Sequence, residues 1–375
     1  MKILLIHNTC AEYRIKWFQK IAEKEDTEFL FTSDFEYEKK YGFKRDENLR
    51  LNRIFLPKGF KGLLELNDIL KNLLSYDFVT LPGVDTLREL FISNIVLHRC
   101  KKLKIPTGYF WEKWDAPKNT QSLKRRIKNF LICLAAQTIF LKVDVIFAGG
   151  SKSRQYFIEH GADAKRIAIL PDSSEVPNCP YVSIRDKYHI PEEATMILYF
   201  GRMMDQKGLD ILIKAVAGLD SSYFLLAVGD GDFKPYCEEL AEKLKISNIA
   251  FPGAVEPRDR KNYFEQCDIF VFPGTFRDGR TDVWGLTLNE AMEFGKVLIA
   301  TDAVGSAYDL INNGINGYRI TPESVDELRD VIIKASELNP ERVKACNARI
   351  SKRYNYNMMA NIFVTVVASV VKDVS

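Results

Sequence analysis

The chain has 375 residues, 46% of them hydrophobic and 27% charged, enough apolar material and length to bury a core in each of two domains. A disordered or fibrous protein is excluded. Lys and Arg outnumber Asp and Glu by 53 to 50, too mild an excess to point to nucleic acid as a partner. The charge is uneven: residues 1–180 carry 30 Lys and Arg against 22 Asp and Glu, and the remainder 23 against 28. A basic first half suits an anionic surface or ligand, or it is scattered solvated charge. The 7 cysteines form no CxxC pair and read as reduced thiols of a cytoplasmic protein.

Residues Lys2 to His7 read as a short strand that reaches a polar turn too soon to be the apolar core of a signal peptide. Further strands are predicted at Glu28 to Thr32, Phe78 to Leu81, Thr107 to Phe110 and Val145 to Phe147. Helical patterns over Arg14 to Glu23 and Leu87 to Leu103 alternate with them, as in a mainly parallel, doubly wound α/β sheet. The longest apolar stretch, Phe130 to Leu141, is far short of the roughly 20 residues a spanning helix needs. Lys124, Arg125, Arg126 and Lys128 lead into it. That pattern fits interfacial membrane contact, or a core helix with a solvated first turn; because the run is apolar around most of its circumference, burial is the expectation.

Between Leu170 and Glu192 prolines and turn formers replace periodicity, which marks a linker. It separates a first domain over 1–175 from a second over 190–354, with a helix at about 355–375 expected to pack back on the first. The second domain repeats the alternation, with strands at Met196 to Phe200, Phe224 to Val228, Ile249 to Phe251, Ile269 to Phe272 and Val297 to Ala300. Open α/β sheets bind ligands beyond the carboxyl ends of their strands, so two such domains are expected to face each other across a binding cleft.

The loops after these strands carry the chemistry. Gly201-Arg202-Met203-Met204-Asp205-Gln206-Lys207-Gly208 sets two cations five residues apart, suited to neutralising a diphosphate, with glycines that let backbone approach a ligand, or it is a solvated turn with a structural ion pair. In Gly229-Asp230-Gly231-Asp232, the two acids have a spacing that could hold Mg or Mn on a nucleotide diphosphate. In a turn that leads into a helix, Asp232 reads instead as its cap. The segment Thr281-Asp282-Val283-Trp284-Gly285-Leu286-Thr287-Leu288-Asn289-Glu290 feeds a helix that starts near Leu286 and stops at Gly295. The amides of Gly285, Leu286 and Thr287 would then favour phosphate oxygens, with Asp282 and Glu290 reaching hydroxyls of the same ligand, or the two acids merely cap the helix.

In this order and spacing, the motifs resemble those of the retaining family-four glycosyltransferases of the GT-B fold. The resemblance covers nearly the whole chain. It rests on G-R-x4-K-G at 201–208, V-G-D-G at 228–231, F-x-G-x-V at 251–255, C-D-I-F-V-F-P at 267–273 and D-x-W-G-L-x-x-N-E-A-M at 282–292. It implies an α/β protein of two Rossmann-like domains facing across a cleft. Arg202 and Lys207 would bind the donor diphosphate, and Glu290 would grip the nucleotide ribose. Asp282 would contact donor-sugar hydroxyls where the family usually has Glu. Gly201, Gly229 and Val255 would lie along the nucleotide.

On the acceptor side, the resemblance is looser and implies His7, Asn8 and Arg14. Many members place a histidine beside the donor sugar; the comparable loop here reads Trp111-Glu112-Lys113-Trp114-Asp115. Glu112 would take that place, or the loop is a surface one whose tryptophans pack or touch sugar rings. The implied reaction moves a hexose-type sugar, with retention, from a UDP- or GDP-type donor to a glycan or polyprenol-linked glycan. It needs no metal or other cofactor, since Arg202 and Lys207 would neutralise the diphosphate, and no enzymatic base, because the leaving diphosphate oxygen can take the acceptor proton on the same face. The expected location is the cytoplasm, with peripheral membrane contact on its cytoplasmic face compatible with the basic half. A nucleotide-sugar epimerase and a non-catalytic nucleotide-sugar-binding module stay open as alternatives. A dinucleotide dehydrogenase is disfavoured, since His7-Asn8-Thr9-Cys10 stands where G-x-G-x-x-G is needed.

Overall fold

Short apolar runs without helical periodicity become parallel strands buried on both faces, and they set the frame of the computed structural model. The structure describes residues 1–32 and 51–374, so residues 33–50 of the expected first domain, and Ser375 of the expected last helix, lie outside it. The first sheet comprises β1 (Lys2–His7), β2 (Asp26–Phe31), β3 (Arg53–Phe55), β4 (Phe78–Leu81), β5 (Thr107–Trp111), β6 (Val145–Ala148) and β7 (Ile167–Ile169). Its order is β3-β2-β1-β4-β5-β6-β7, with every pairing parallel. The second sheet comprises β8 (Thr195–Phe200), β9 (Tyr223–Val228), β10 (Ile249–Gly253), β11 (Ile269–Phe272), β12 (Val297–Thr301) and β13 (Gly317–Ile320). Its order is β10-β9-β8-β11-β12-β13, again all parallel.

Three strands escape sequence reading, β3, β7 and β13. All are sheet edges of three or four residues with half-buried positions. An edge strand buried on one side lacks the continuous apolar run that marks a central one.

The chain divides into two compact units, one of Met1–Trp114 and Lys124–Asp172 with the chain from Tyr356 on, the other of Asp115–Leu123 and Ser173–Asn355. Sequence reading gave 115–123 to the first domain. The structure groups it with the second because the turn Lys118–Thr120 packs on the turn Arg277–Gly279. In the first unit the helix Tyr356–Val374 closes one side of the sheet. Phe363 lies 5.1 Å from Phe147 and 5.9 Å from Trp17 between ring centroids, and the Tyr356 hydroxyl donates to the Tyr13 carbonyl at 2.6 Å.

One expectation is overturned. The helix Leu123–Phe140 buries Cys133, Ala136, Ile139 and Phe140, but Ile127, Phe130, Leu131 and Leu134 are 50–66% exposed. A helix apolar on most sides has two apolar stripes, and only one of them finds the sheet. No helix among the described residues is long and apolar enough to cross a membrane.

In the second unit, tight backbone packing at strand ends fixes residue choice. Gly208 has φ +70°, and a Cβ there would sit 1.9 Å from the Pro273 carbonyl oxygen. Only glycine fits both the left-handed backbone and the contact. Replacing Gly208 with alanine is therefore expected to cost about 3 kcal/mol or more, read in urea unfolding as a lower midpoint at unchanged slope. An unchanged midpoint would mean the two loops are not locked together.

Candidate active site

The chain winds β8-β9-β10 in one direction, then returns to the far side of β8 with β11. This reversal leaves a crevice beyond the carboxyl ends of β8 and β11, the place where open α/β sheets bind ligands. The loops Gly201 to Gly208 and Pro273 to Gly285 begin there.

Hydrogen bonds stitch these loops into one rigid piece. Thr275 N donates to the Gln206 carbonyl at 2.8 Å. Arg277 grips buried Asp210 through two bonds of 2.9 and 2.8 Å and also donates to the Asp205 carbonyl. Arg280 donates to Gln206 Oε1 at 2.8 Å. On the other flank, Asp282 N donates to the Ala303 carbonyl at 3.0 Å, and the Asp282 carbonyl accepts from Gly305 N at 2.9 Å.

That scaffold sets Lys207 and Asp282, 75 residues apart, in an ion pair at which each side chain is 17% exposed. The Lys207 ammonium also lies 4.8 Å from the centroid of the Phe272 ring. Arg202 stays exposed, and its carbonyl accepts from the Tyr199 hydroxyl at 2.9 Å. The two cations of the motif thus differ: one is half-screened by a carboxylate, and the other faces solvent.

The helix Leu286–Glu293 begins at Gly285, φ +94°, with no side chain capping it. Its first amides therefore lack intrahelical acceptors, and the helix dipole favours an anion there. It stops in a Schellman turn at Gly295, where Lys296 N reaches the Ala291 carbonyl and Gly295 N the Met292 carbonyl. Glu290, in its second turn, is 3% exposed. One carboxylate oxygen accepts from Arg260 Nη1 at 2.8 Å, while Oε2 is buried without a partner. Burial pushes the Glu290 carboxyl up to about 7 against the pull of Arg260. A ligand hydroxyl donating to Oε2 would satisfy that atom.

Gly229 packs on the neighbouring strand end, where a Cβ would meet the Gly201 carbonyl oxygen at 1.8 Å. Gly201 does have open space around it. Asp232 caps no helix: the helix Lys234–Lys243 starts after Phe233 with no side-chain cap. Val255 is half-buried and packs on the second unit's core.

In the first unit, Arg14 is 3% exposed and pairs with both Glu112 and Asp172, its Nη1 lying 3.0 Å from Asp172 Oδ1. Its guanidinium also lies 4.9 Å from the Phe110 ring. The three residues follow β1, β5 and β7, so they meet beyond the carboxyl edge of that sheet. Gly149 makes room for Glu112, because a Cβ there would come within 2.7 Å of its Cγ. His7, expected on the acceptor side, is instead 5% exposed among the rings of Trp17, Phe18 and Phe110. Burial and the Arg14 charge hold its imidazole neutral, its pKa well below the ordinary value. Asn8 is half-buried and accepts from Thr9 N at 2.9 Å. The tryptophans at 111 and 114 are each 5% exposed and pack inward.

Sequence reasoning missed Arg260 and Asp172. Arg260 lies in the mixed-charge run Glu256-Pro257-Arg258-Asp259-Arg260, which reads as solvated surface. Asp172 lies in the linker, where only its position right after a short, unrecognised edge strand marks it.

Residues 182–353 match the family described as glycosyl transferases group 1. The chain is 26% identical over 150 residues to MJ1607, an uncharacterized glycosyltransferase of Methanocaldococcus jannaschii, an alignment covering 39% of this chain and 37% of that one. It is 22% identical over 290 residues to D-inositol 3-phosphate glycosyltransferase of Xylanimonas cellulosilytica, covering 70% of this chain and 68% of that one. Among solved structures, Anabaena Alr3699/HepE in complex with UDP superposes with a TM-score of 0.75 at 17% identity, covering 98% of this chain and 100% of that chain. The fold is the α/β pair of Rossmann-like domains of the GT-B glycosyltransferases.

Glu290 supplies a test of the site's electrostatics. Its folded-state pKa, about 7, lies above the ordinary 4.5. Its contribution to stability is therefore fully present below the ordinary value and is lost as pH rises through the folded value. Glu290→Gln removes that loss, so its melting temperature should gain on wild type between about pH 5 and about pH 8. A constant difference across that range would show that Glu290 titrates as a solvated carboxyl.

Proposed function

We propose that this chain is a retaining, metal-independent glycosyltransferase of family four that moves a hexose-type sugar from a nucleotide diphosphate to a glycan or lipid-linked glycan. The observation that carries the reading is the Lys207–Asp282 pair on the same loop assembly as an uncapped helix terminus and the buried Glu290 carboxyl. Each part answers one part of a sugar nucleotide. The helix amides and Lys207 take the diphosphate, Arg202 adds charge from solvent, and the free oxygen of Glu290 accepts from a ribose hydroxyl.

In the absence of donor, Lys207 and Asp282 neutralise each other. A diphosphate claims the ammonium and releases the carboxylate to the hydroxyls of the sugar. Asp282 thus does what a longer Glu does elsewhere in the family, from a backbone fixed by Ala303 and Gly305. As the glycosidic oxygen leaves, the diphosphate gains negative charge. The cations and helix terminus then stabilise the transition state more than the bound donor, typically by about 2.7 to 4 kcal/mol for each preorganised donor. The leaving oxygen takes the acceptor proton on the same face, which retains configuration.

A UDP-type donor is supported by the UDP seen in Alr3699/HepE, and glycosyl transfer by the relatives' names. On the acceptor side Glu112 is the carboxylate offered to a sugar hydroxyl. Arg14 orients it, and Asp172 in turn anchors Arg14.

Melting curves with UDP, GDP and their sugar conjugates should identify the donor by a raised midpoint. Lys207→Ala and Glu290→Ala should each weaken donor binding or turnover at least tenfold (about 1.4 kcal/mol or more) while melting as folded proteins. Asp282→Glu should keep turnover, with the same or a changed sugar preference. Wild-type rates in both alanine variants would remove the site. A donor that binds without ever passing its sugar to an acceptor would leave a binding module or an epimerase.

A further inference from the structure

Arg260 opens the helix Arg260–Gln266, which follows β10, and its side chain ties that helix to two other elements. Its Nη1 donates to Glu290 Oε1 at 2.8 Å, which joins it to the helix Leu286–Glu293. Its guanidinium carbon lies 5.4 Å from the ring centroid of Phe200, the last residue of β8. That ring is itself fixed by Phe264 at 4.9 Å and Tyr263 at 6.2 Å, both on the helix that Arg260 opens. The guanidinium is thus held in direction as well as in place.

Guanidinium and carboxylate frequently close a two-pronged pair that occupies both oxygens. This pair has one prong: Nη1 takes Oε1, while Oε2 of Glu290 and Nε of Arg260 are buried without a partner. The two side chains are unequally placed, 36% exposed for Arg260 and 5% for Glu290, so the acid depends on the cation more than the cation on the acid. Burial pushes the carboxyl toward its neutral form, and Arg260 pulls it back. Arg260 therefore governs both the charge of Glu290 and the direction in which Oε2 is offered. An ionised carboxylate oxygen only accepts, so its partner must donate, as a ribose hydroxyl does. A nucleotide without that hydroxyl leaves the buried oxygen unpaired, and a site built this way rejects it.

We infer that Arg260 is a positioning residue for donor recognition, holding Glu290 with Oε2 free for a ribose hydroxyl and so making the site select ribonucleotides over deoxyribonucleotides. The inference rests on the donor reading of Glu290 proposed above and adds the residue on which that contact depends.

Titration calorimetry of the intact chain with UDP, GDP and the 2′,3′-dideoxy form of each tests it. Wild type should bind the better ribonucleotide at least about tenfold more tightly than its dideoxy form. Arg260→Ala should weaken the ribonucleotide alone and bring the two forms within about threefold of each other. Arg260→Lys, which keeps the charge on a flexible stem, should fall between. In a Glu290→Ala background Arg260→Ala should change neither affinity, since a residue that acts through Glu290 has nothing left to hold. The double variant removes both charges and Arg260→Lys keeps both, so each carries the comparison even where Arg260→Ala alone unfolds. Equal weakening of the ribo and dideoxy forms by Arg260→Ala, no weakening at all, or a further loss in the Glu290→Ala background would overturn the inference and leave the donor reading standing. Wild type that binds both forms alike would remove the ribose contact and the inference with it. Wild type that binds neither nucleotide would remove the donor reading itself.

Discussion

The ion pair between Lys207 and Asp282 is the contact on which the chemistry proposed for the second unit turns. Two charges, each 17% exposed, cost solvation that is recovered only when their positions are held in advance. The sequence holds them by means unrelated to charge. Gly208 lets its loop touch Pro273, Arg277 clamps Asp210, and both peptide groups of Asp282 are engaged by the loop after β12. An anion arriving there meets a cation that need not be ordered first, so binding energy is not spent on assembling the site.

A similar arrangement governs the first unit. Arg14 is almost wholly buried with two carboxylates, at the carboxyl edge of an all-parallel sheet. Removing Arg14 from such a cluster would leave two carboxylates without their cation, whereas an apolar replacement of the whole would be tolerated.

Much of this was legible in the sequence. The central strands announced themselves as apolar runs, and the helix from Leu286 to Glu293 was framed by glycines at both ends. Lys207, Asp282 and Glu290 were singled out by motif spacing, and the structure sets Lys207 against Asp282 beside the helix that carries Glu290. What stayed hidden was pairing across distance. Nothing near Glu290 in sequence foretells Arg260, and Arg14 meets Asp172 only because seven strands order themselves with β1 near the middle. His7 misled for the complementary reason: a polar residue at a strand end looks accessible until the aromatic rings of the helix after it are folded over it. The helix Leu123–Phe140 misled in turn because composition tells how apolar a helix is but not how many of its faces find a partner.

The charge balance of the second unit carries the argument one step further. Lys207 is matched by Asp282, Arg260 by Glu290 and Arg277 by Asp210, so its best-held cations are already neutralised. On the proposed reading a diphosphate draws Lys207 away from its carboxylate, and Asp282 is the least buried of the three acids, since Asp210 and Glu290 are each 3% exposed. The carboxylate so released stays on a fixed backbone within reach of whatever the diphosphate carries. A site that merely stored nucleotide would gain affinity by having an apolar residue in place of Asp282, leaving Lys207 unopposed. On the proposed reading the acid lowers resting affinity and acquires a use when the attached group has hydroxyls to donate to it, which would favour a sugar-bearing donor over a bare nucleotide.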